Sequence, residues 1–309
     1  IMFLKDYYPK LNKKYFNIKF DGISLNSKYV KKNNIFFAIK GSSLDGNKFI
    51  KEAISKGSRI VISEIHREGF KKNILYLKSK NPRKLLSIFA TKLNRKKPNN
   101  LIAVTGTNGK SSIANFYYQI LKLNRIKVSS IGTLGINGIN KKKESSNTTL
   151  DSIQINKLLE RLKKKKINNV ILEASSHGLK QHRLDGLKFN IGIFTNLSRD
   201  HLDYHKTFKN YLNSKLILFK KLMKKNSYIV FDNDLNISSK IKNISKKNNL
   251  KNLSIGTKGS NLKIVDHKFS NLEQQITFSL NNNTFYFSTK LIGSVQIKNI
   301  LMSILAAYK

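Results

Sequence analysis

The sequence predicts an α/β protein: a small mixed α/β N-terminal domain, then a mostly parallel-sheet domain with an antiparallel hairpin near its end. Three observations predict this. After residue 100, short apolar runs alternate with segments of helical spacing, as in parallel sheets whose strands are joined by helices. A glycine-rich turn follows the first of these runs. A polar stretch with a proline, residues 94–100, is typical of a linker. We therefore expect domains at residues 1–97 and 98–309.

Apolar spacing predicts the elements of the first domain. Phe49, Ile50, Ala53 and Ile54 recur at helical spacing and mark one face of a helix. Pro82 is typical of a first helical turn, because its fixed φ suits a helix and its missing N–H costs nothing there. The predicted strands are 34–39, 59–63 and 74–77, and the predicted helices are 47–56 and 82–93.

The second domain follows the same logic over a longer stretch. Its predicted strands are 101–105, 127–131, 169–173, 190–194 and 227–231; its predicted helices are 111–123, 151–166, 207–222 and 294–308; residues 262–289 alternate and predict a hairpin that turns at 281–285. In open α/β sheets, ligands bind beyond the carboxyl ends of the strands. We therefore expect the functional residues just after residues 105, 173 and 194.

Composition limits the class of protein. The 39% hydrophobic and 10% aromatic residues allow real cores, and the absence of cysteine excludes disulfides and thiolate metal sites. The chain has no apolar run of about 18 residues and no signal-peptide pattern at its start. We expect a soluble, cytoplasmic monomer with no membrane partner.

The formal net charge of +42 raises nucleic acid as an alternative partner. Only 8 of the 59 cationic residues are arginine, the residue favoured for planar phosphate recognition. The excess lysine is spread along the chain together with Asn and Ile. The densest runs, 141–143 and 163–166, are typical of a solvated loop and a solvated helix end. Nucleic acid is therefore not the expected partner, although the charge should attract anionic small molecules.

The glycine-rich turn indicates a phosphate-binding loop. It lies between an apolar strand and a helix, and its core is Gly106-Thr-Asn-Gly-Lys-Ser. The general Walker pattern has glycine where Val104 stands. In such loops the lysine, here Lys110, reaches the terminal phosphates, and the hydroxyl of Ser111 binds Mg²⁺. We therefore expect the second domain to be a P-loop ATPase domain, with ATP and Mg²⁺ as cofactors. The predicted nucleotide-binding residues are Gly106, Thr107, Asn108, Gly109, Lys110, Ser111 and Ser112.

A second group of polar residues follows the later strands. Glu173 ends an apolar run, where a carboxylate opposite a phosphate loop can bind Mg²⁺ or position water. Asp200, His201, Asp203 and His205 lie within six residues, in a chain with only 17 acidic residues. The His spacing would also suit zinc, but no third nitrogen or sulfur ligand is evident.

Together these segments resemble the Mur ligases, ATP-dependent amide ligases of peptidoglycan assembly. The resemblance rests on residues 104–111, 173–179 and 196–205 and runs from about residue 21 to the end. Three further features resemble the MurE branch of the family: Asn147-Thr-Thr, Gln181-His-Arg, and the first-domain segments 25–28, 36–41 and 45–46.

The resemblance implies a reaction and its residues. A diamino acid, by family frequency meso-diaminopimelate rather than L-lysine, would be added to UDP-N-acetylmuramoyl-L-alanyl-D-glutamate through an acyl phosphate. The implied catalytic residues are Lys110, Glu173, His201 and Lys215, and the implied metal ligands are Ser111, Glu173, His201 and a carbamylated Lys215. The implied substrate-binding residues are Leu25, Ser27, Asn147, Thr148, Thr149, Ser175, Gln181 and Arg183.

The sequence departs from the family pattern in three places. Asn26-Ser-Lys stands where the family usually has Asp-Ser-Arg, which removes an acid and a bidentate donor. Ser111-Ser112 replaces Thr-Thr and keeps the hydroxyl. The family's C-terminal domain, which binds the amino acid and closes over ATP, is expected to be absent. Three alternatives stay open: another Mur-type ligase such as folylpolyglutamate synthase, a basic nucleic-acid-binding protein, and a fragment that binds both nucleotides without turnover.

Overall fold

The computed structural model describes residues 2–41, 44–139, 148–270 and 272–309. It divides into two compact units. The first unit comprises Ile1–Arg95, Asp151–Leu158 and Gln181–Gly186, and the second comprises Lys96–Leu150, Leu159–Lys180 and Leu187–Lys309. Both are built from strands and helices, and the predicted α/β fold class is confirmed. No helix in the part of the chain that the structure describes is long and apolar enough to cross a membrane.

The first unit is built on a five-stranded sheet. Its elements are β1 Met2–Phe3, β2 Lys19–Phe20, β3 Gly22–Ser24, β4 Asn34–Phe37, α1 Ile50–Ser55, β5 Ile60–Ser63, β6 Gly69–Lys71, β7 Ile74–Lys78 and α2 Pro82–Leu93, with 3₁₀ turns at Leu4–Asp6, Lys13–Tyr15, Ser27–Tyr29 and Gly46–Phe49. The sheet order is β3-β4-β5-β7-β6, parallel except for β6, and β1 pairs with β2 separately.

An aromatic cluster fills the core of the first unit. Phe89 of α2 is fully buried, and the rings of Tyr7, Phe20 and Phe37 lie 5.1–5.7 Å from it or from one another. Aromatic pairs at such distances add to the free energy gained by burying apolar area. Asn81 caps α2 because its side chain accepts a hydrogen bond from the Lys84 N–H, which fixes where the helix begins.

The second unit carries a ten-stranded sheet. The elements from residue 100 onward are β8 Asn100–Thr105, α3 Lys110–Leu123, β9 Val128–Gly132, β10 Gly135–Asn137, α4 Ser152–Lys164, β11 Asn169–Glu173, α5 Ser176–Lys180, β12 Phe189–Phe194, α6 Leu202–His205, α7 Phe208–Ile217, β13 Met223–Asp232, α8 Ser238–Lys247, β14 Lys251–Gly256, β15 Leu262–Ser270, β16 Glu273–Leu280, β17 Asn283–Thr289 and α9 Ser294–Ala307. The strand order is β10-β9-β11-β8-β12-β13-β14-β15-β16-β17.

The sheet is parallel from β9 to β15 and antiparallel at both margins. Between residues 262 and 289 the structure has three antiparallel strands rather than the single predicted hairpin. The predicted turn lies between β16 and β17, where Asn281 and Asn282 have φ of 51° and 65°. Asn tolerates this left-handed conformation, which two-residue hairpin turns require.

The order of the central strands positions the site. β8 lies between β11 and β12, and the pairs Glu173–Val104 and Phe194–Thr105 bring their carboxyl ends level. α3 and α9 pack on this sheet through buried residues such as Ile113. The loops that follow the three strands therefore meet at one edge, as the sequence predicted.

Some boundaries differ from the prediction. α7 ends at Ile217 and continues as a π-helical turn, Leu218–Leu222, where the sequence predicted one helix over 207–222. β14 and α8 were not predicted, because Lys- and Asn-rich composition obscures their apolar periodicity.

Candidate active site

Two glycines shape the loop after β8. Gly106 has φ of 149°, and a Cβ there would lie 1.8 Å from the Thr195 Oγ1. Gly109 has φ of 83°, and a Cβ there would lie 2.5 Å from the Asn299 Oδ1. Only glycine combines this backbone geometry with such close neighbours. The loop therefore lies tightly against the end of β12 and the first half of α9.

The segment after β12 holds the middle of the loop. The N–H of Thr107 donates to the Asn196 carbonyl at 3.0 Å, and the N–H of Asn108 donates to the Asn196 Oδ1 at 3.0 Å. The Thr195 hydroxyl donates to the Asn108 carbonyl at 2.5 Å. These two loop amides are thus bonded within the protein. The amides of the first turn of α3 have no intrahelical acceptor, and a helix N-terminus favours anions.

Two lysines converge on one carbonyl of the loop. Lys110 donates to the carbonyls of Gly106 at 3.0 Å and Thr107 at 2.7 Å. Lys215 of α7, only 1% exposed, donates to the same Gly106 carbonyl at 2.5 Å. Burial lowers the pKa of Lys110, opposed by the charges of Glu173 and Asp200. Burial, and secondly the charge of Lys110, lower the pKa of Lys215 to about 7. The loop thus concentrates cationic groups where phosphates would bind.

Tyr211 connects α7 to the loop. Its ring lies 4.2 Å from the Lys215 ammonium, a cation–π distance. Its hydroxyl donates to the Thr107 Oγ1 at 3.2 Å. Tyr211 and Lys215 are four residues apart and share one helix face. Successive turns of α7 therefore reach successive residues of the loop.

Glu173 lies at the end of β11 with 2% of its surface exposed. The Thr133 N–H donates to its Oε1 at 2.9 Å, and the Thr133 hydroxyl donates to its Oε2 at 3.2 Å. Ser111 lies close enough to lower the pKa of the carboxyl as well. Burial raises the pKa of this carboxyl, while those bonds and the charge of Lys110 oppose the rise. The structure thus brings together Lys110, Ser111 and Glu173.

Three predicted substrate-binding residues lie near Glu173. The Thr149 hydroxyl, buried, donates to the Glu173 carbonyl at 2.8 Å and lies 3.0 Å from the Ser175 Oγ. The half-buried Thr148 has its Oγ1 3.1 Å from that of Thr133. Asn147 lies outside the described residues.

The histidine-rich segment forms α6 and the turn before it. His201 is exposed, has φ of 51°, and its Nε2 lies 3.5 Å from the Asp200 Oδ2. His205 is fully buried, with its Nε2 3.0 Å from the Ser176 Oγ. Burial, and secondly the charges of nearby lysines and histidines, lower the pKa of His205 to about 4. His205 is therefore a neutral packing residue, whereas His201 stays accessible.

The acidic and histidine side chains alone do not form a metal cage. Within the described ranges, no group of three or more His, Asp or Glu side chains is placed to hold a metal ion. The neighbouring Ser111 and Glu173 supply oxygen donors, the type that Mg²⁺ prefers. A hard cation bound there would draw its remaining ligands from water or phosphate.

The other predicted substrate-binding residues belong to the first unit. Leu25 is half-buried; Ser27 is buried and its hydroxyl donates to the Glu52 Oε2 at 2.7 Å. Arg183 donates from its Nε and Nη2 to the Gln181 Oε1 at 3.2 and 2.9 Å. Within the first unit, Ser27 is therefore held by Glu52, and Gln181 and Arg183 form a pair.

Sequence reasoning missed Thr133 and Tyr211. Thr133 directly follows β9, and the rule that ligands bind beyond the carboxyl ends of strands could have identified it. Tyr211 had no such signal, because a tyrosine inside a predicted amphipathic helix is typical of a core residue.

Comparison with protein families matches most of the chain. Residues 104–307 match the Mur ligase middle domain, and residues 19–94 match the Mur ligase family, catalytic domain.

Similar proteins give a consistent result. UDP-N-acetylmuramoyl-L-alanyl-D-glutamate--2,6-diaminopimelate ligase of Rickettsia conorii is 41% identical over 300 residues, covering 94% of this chain and 61% of the relative. The enzyme of the same name from Clostridium tetani is 38% identical over 315 residues, covering 99% of this chain and 63% of the relative. The chain thus spans about three fifths of the length of the curated relatives it matches.

Solved structures share the fold. A structure of a ligase with that same name has a TM-score of 0.84 and 26% identity, over 99% of this chain and 63% of its own. MurF of Thermotoga maritima, in complex with ADP, has a TM-score of 0.63 and 20% identity, over 92% and 62%. The apo form of L. casei FPGS has a TM-score of 0.59 and 14% identity, over 75% and 63%; these last two likenesses are of fold alone. The domain matches and the relatives lead to one assignment: the chain belongs to the Mur ligase family.

Proposed function

We propose that this chain is the nucleotide- and UDP-substrate-binding part of an ATP-dependent amide ligase of peptidoglycan precursor synthesis. The reaction adds a diamino acid, meso-diaminopimelate, to UDP-N-acetylmuramoyl-L-alanyl-D-glutamate. The observation that carries the proposal is the convergence of Lys110, Ser111 and Glu173 beyond the ends of adjacent strands β8 and β11. The names of the curated relatives support the choice of substrates.

The chemistry needs an activated carboxylate, because a carboxylate is a poor electrophile. The γ-phosphoryl group of ATP passes to the substrate carboxylate, which gives ADP and an acyl phosphate. The amine of the diamino acid then attacks the acyl carbon, and inorganic phosphate leaves as the amide forms. The protein's task is to position the reactants and to neutralise charge.

Residues 106–112 would bind ATP. The amides of the first turn of α3 and the Lys110 ammonium would bind the β- and γ-phosphates. Lys110 now donates to loop carbonyls, so phosphate oxygens would replace these neutral acceptors with charged ones. The fold shared with an ADP-bound MurF is consistent with this use of the loop.

One Mg²⁺ would be held by Ser111 and Glu173, and a second would lie near His201, with Lys215 as a carbamate among its ligands. When bound, Mg²⁺ neutralises phosphate charge. The donor chemistry fits, because Ser111 and Glu173 are neighbours and both offer oxygen ligands. None of the ion pairs in the described residues includes Lys215, and a carbamate would give this buried lysine the anionic oxygens that a hard metal prefers.

Carbamylation can be measured without enzyme activity. In ¹³C-bicarbonate, the chain should show a carbamate ¹³C resonance that is lost in Lys215→Arg and kept in Lys209→Arg, a control on the exposed side of α7. Equal spectra for all three proteins would contradict the carbamate.

Candidate contacts for the UDP-muramoyl-dipeptide lie in each unit. In the part of the first unit that belongs to the domain predicted at 1–97, we propose uridine-diphosphate contacts at Leu25 and Ser27. Gln181 and Arg183 would bind carboxylate or phosphate, since a paired guanidinium keeps its fork geometry. In the second unit, Thr148, Thr149 and Ser175 would bind the muramoyl dipeptide, together with Asn147.

This role places the protein in cell-wall biogenesis, and through it in cell shape and division. We propose a cytoplasmic monomer whose partners are small molecules rather than nucleic acid or membrane.

Product analysis tests the function. The protein is incubated with ATP, Mg²⁺, UDP-muramoyl-dipeptide and equal amounts of meso-diaminopimelate and L-lysine. Mass spectrometry identifies the UDP-linked products, and calorimetry measures the binding of each nucleotide. We expect both nucleotides to bind and any tripeptide formed to carry diaminopimelate, and Lys110→Met should lose both ATP binding and product. Binding of neither nucleotide would refute the proposal. Glutamate transfer to a folate would instead indicate the folylpolyglutamate alternative.

A further inference from the structure

Thr133 occupies an unusual place between two groups of functional residues. It follows β9 and is exposed at the carboxyl edge of the sheet. On one side it contacts the Glu173 carboxylate, with its N–H 2.9 Å from Oε1 and its hydroxyl 3.2 Å from Oε2. On the other side its hydroxyl lies 3.1 Å from the Thr148 hydroxyl. One residue thus touches the carboxylate next to Ser111 and a candidate substrate-binding residue.

The backbone before Thr133 makes this contact possible. A Cβ at Gly132 would lie 2.0 Å from the Glu173 Oε1, so the carboxylate lies directly over the glycine backbone. Both oxygens of Glu173 then meet the two donors of the next residue. The carboxylate is held in one orientation by two bonds, because rotation about its last torsion would break both.

The hydrogen bonds of Thr133 with Glu173 and Thr148 have a defined donor and defined acceptors. An ionised carboxylate only accepts, and a threonine hydroxyl has a single hydrogen to give. The geometry makes the Thr133 hydroxyl the donor toward both the Glu173 Oε2 and the Thr148 Oγ1, so its one hydrogen is shared between these two acceptors. The Thr148 hydroxyl, which accepts from Thr133, keeps its own hydrogen to donate to an acceptor such as a peptide carbonyl. Hydrogen bonds in such a chain also polarise one another.

We infer that Thr133 is a positioning residue that joins the carboxylate on the nucleotide side of the site to Thr148 on the substrate side. This inference rests on the proposed function. Thr133 fixes the orientation of Glu173 for the metal–nucleotide complex. It also sets Thr148 to donate to a peptide carbonyl of the muramoyl-dipeptide, so one hydroxyl serves both ligands.

Binding measurements on the 309-residue chain test the inference. The variants are Thr133→Val, which removes the hydroxyl and keeps the N–H; Thr133→Ser, which keeps the hydroxyl; and Thr277→Val, a matched control in β16 outside the site. Mg-ADP and UDP-N-acetylmuramoyl-L-alanyl-D-glutamate are titrated separately by calorimetry. Thr148→Val and Ser111→Ala serve as one-sided references.

We expect Thr133→Val to weaken both ligands, each by about five- to tenfold, since each loses one hydrogen-bonded group. Thr133→Ser should bind both within about twofold of the unchanged chain, a rescue that a packing role would not give. Thr148→Val should weaken only the UDP-substrate, and Ser111→Ala only Mg-ADP. Thr277→Val should change neither.

Failure of the proposed function and failure of the Thr133 inference give different results. If the unchanged chain binds neither ligand, the proposed function fails and this inference fails with it. If the unchanged chain binds both, the inference alone is overturned by a Thr133→Val variant that matches it, by an effect confined to one ligand, or by a Thr133→Ser variant that binds as poorly as Thr133→Val.

Discussion

The phosphate-loop region of the second unit and the Ser27 turn of the first unit use polar residues in opposite ways. The first buries its ionisable groups: Glu173 and Lys215 are 2% and 1% exposed. The Ser27 turn buries a neutral hydroxyl, and its charged partners Glu52 and Lys56 have side chains 39% and 40% exposed. Burying a charged group costs free energy, because the group loses its favourable hydration by water. The comparison teaches that the phosphate-loop region keeps its ionisable groups away from water, whereas the Ser27 turn leaves its charged groups in water.

The largest expected effect concerns how closely each region packs around its backbone. Two glycines with nearly the same φ test it. Gly106 has φ of 149°, and a Cβ there would lie 1.8 Å from the Thr195 Oγ1, whereas Gly69 in the first unit has φ of 146° and a Cβ there would meet nothing within 4 Å. Gly106→Ala should lower the free energy of unfolding by about 2–4 kcal/mol, because strain and overlap add. Gly69→Ala, with strain alone, should lower it by about 1 kcal/mol.

Urea unfolding followed by circular dichroism measures both variants. Similar losses at the two positions would show that close packing of the phosphate loop contributes nothing beyond backbone strain.

The free energy of unfolding should depend on pH because His205 of the second unit is buried. The pKa of His205 is lowered to about 4 by burial, so between pH 6.5 and 4 the unfolded chain binds a proton that the folded chain excludes. The free energy of unfolding therefore falls as pH falls through this window, by up to about 3 kcal/mol. His205→Gln should remove this part of the pH dependence. Denaturant titrations at pH 7 and pH 4.5 check it, and an unchanged slope in His205→Gln would contradict the burial argument.

The Ser27 turn should give the smallest effect. Ser27→Ala removes one hydrogen bond to Glu52 and should cost about 1 kcal/mol of unfolding free energy. Glu52→Gln keeps an acceptor for Ser27 and should cost less. Neither variant should change Mg-ADP affinity in calorimetry. A change in Mg-ADP affinity would contradict the separation of the two regions' roles.

The sequence predicted those parts of the site that depend on local order along the chain. Gly106, Lys110 and Glu173 follow apolar runs, and strand order alone implies that such residues meet at one edge. The same runs predicted the central strands, because buried parallel strands are nearly continuous in apolar residues.

What the sequence could not predict depends on burial and on partners distant in the chain. In composition and spacing Lys215 is one of 51 lysines; the family resemblance singled it out, and its bond to the Gly106 carbonyl is visible only in the structure. Thr133 and Glu173 are 40 residues apart, and their hydrogen bonds follow from the pairing of β9 with β11. Such contacts leave no trace in composition or spacing.

The most direct test of the central claim, that the loop after β8 binds nucleotide phosphates, is a calorimetric titration of Mg-ADP into the chain and its Lys110→Met variant. Lys209→Met, an exposed lysine on α7, controls for the general attraction of anions to a chain of charge +42. We predict saturable binding at one site that Lys110→Met weakens at least about tenfold and Lys209→Met leaves unchanged. Absent binding, or equal weakening by both substitutions, would contradict the account.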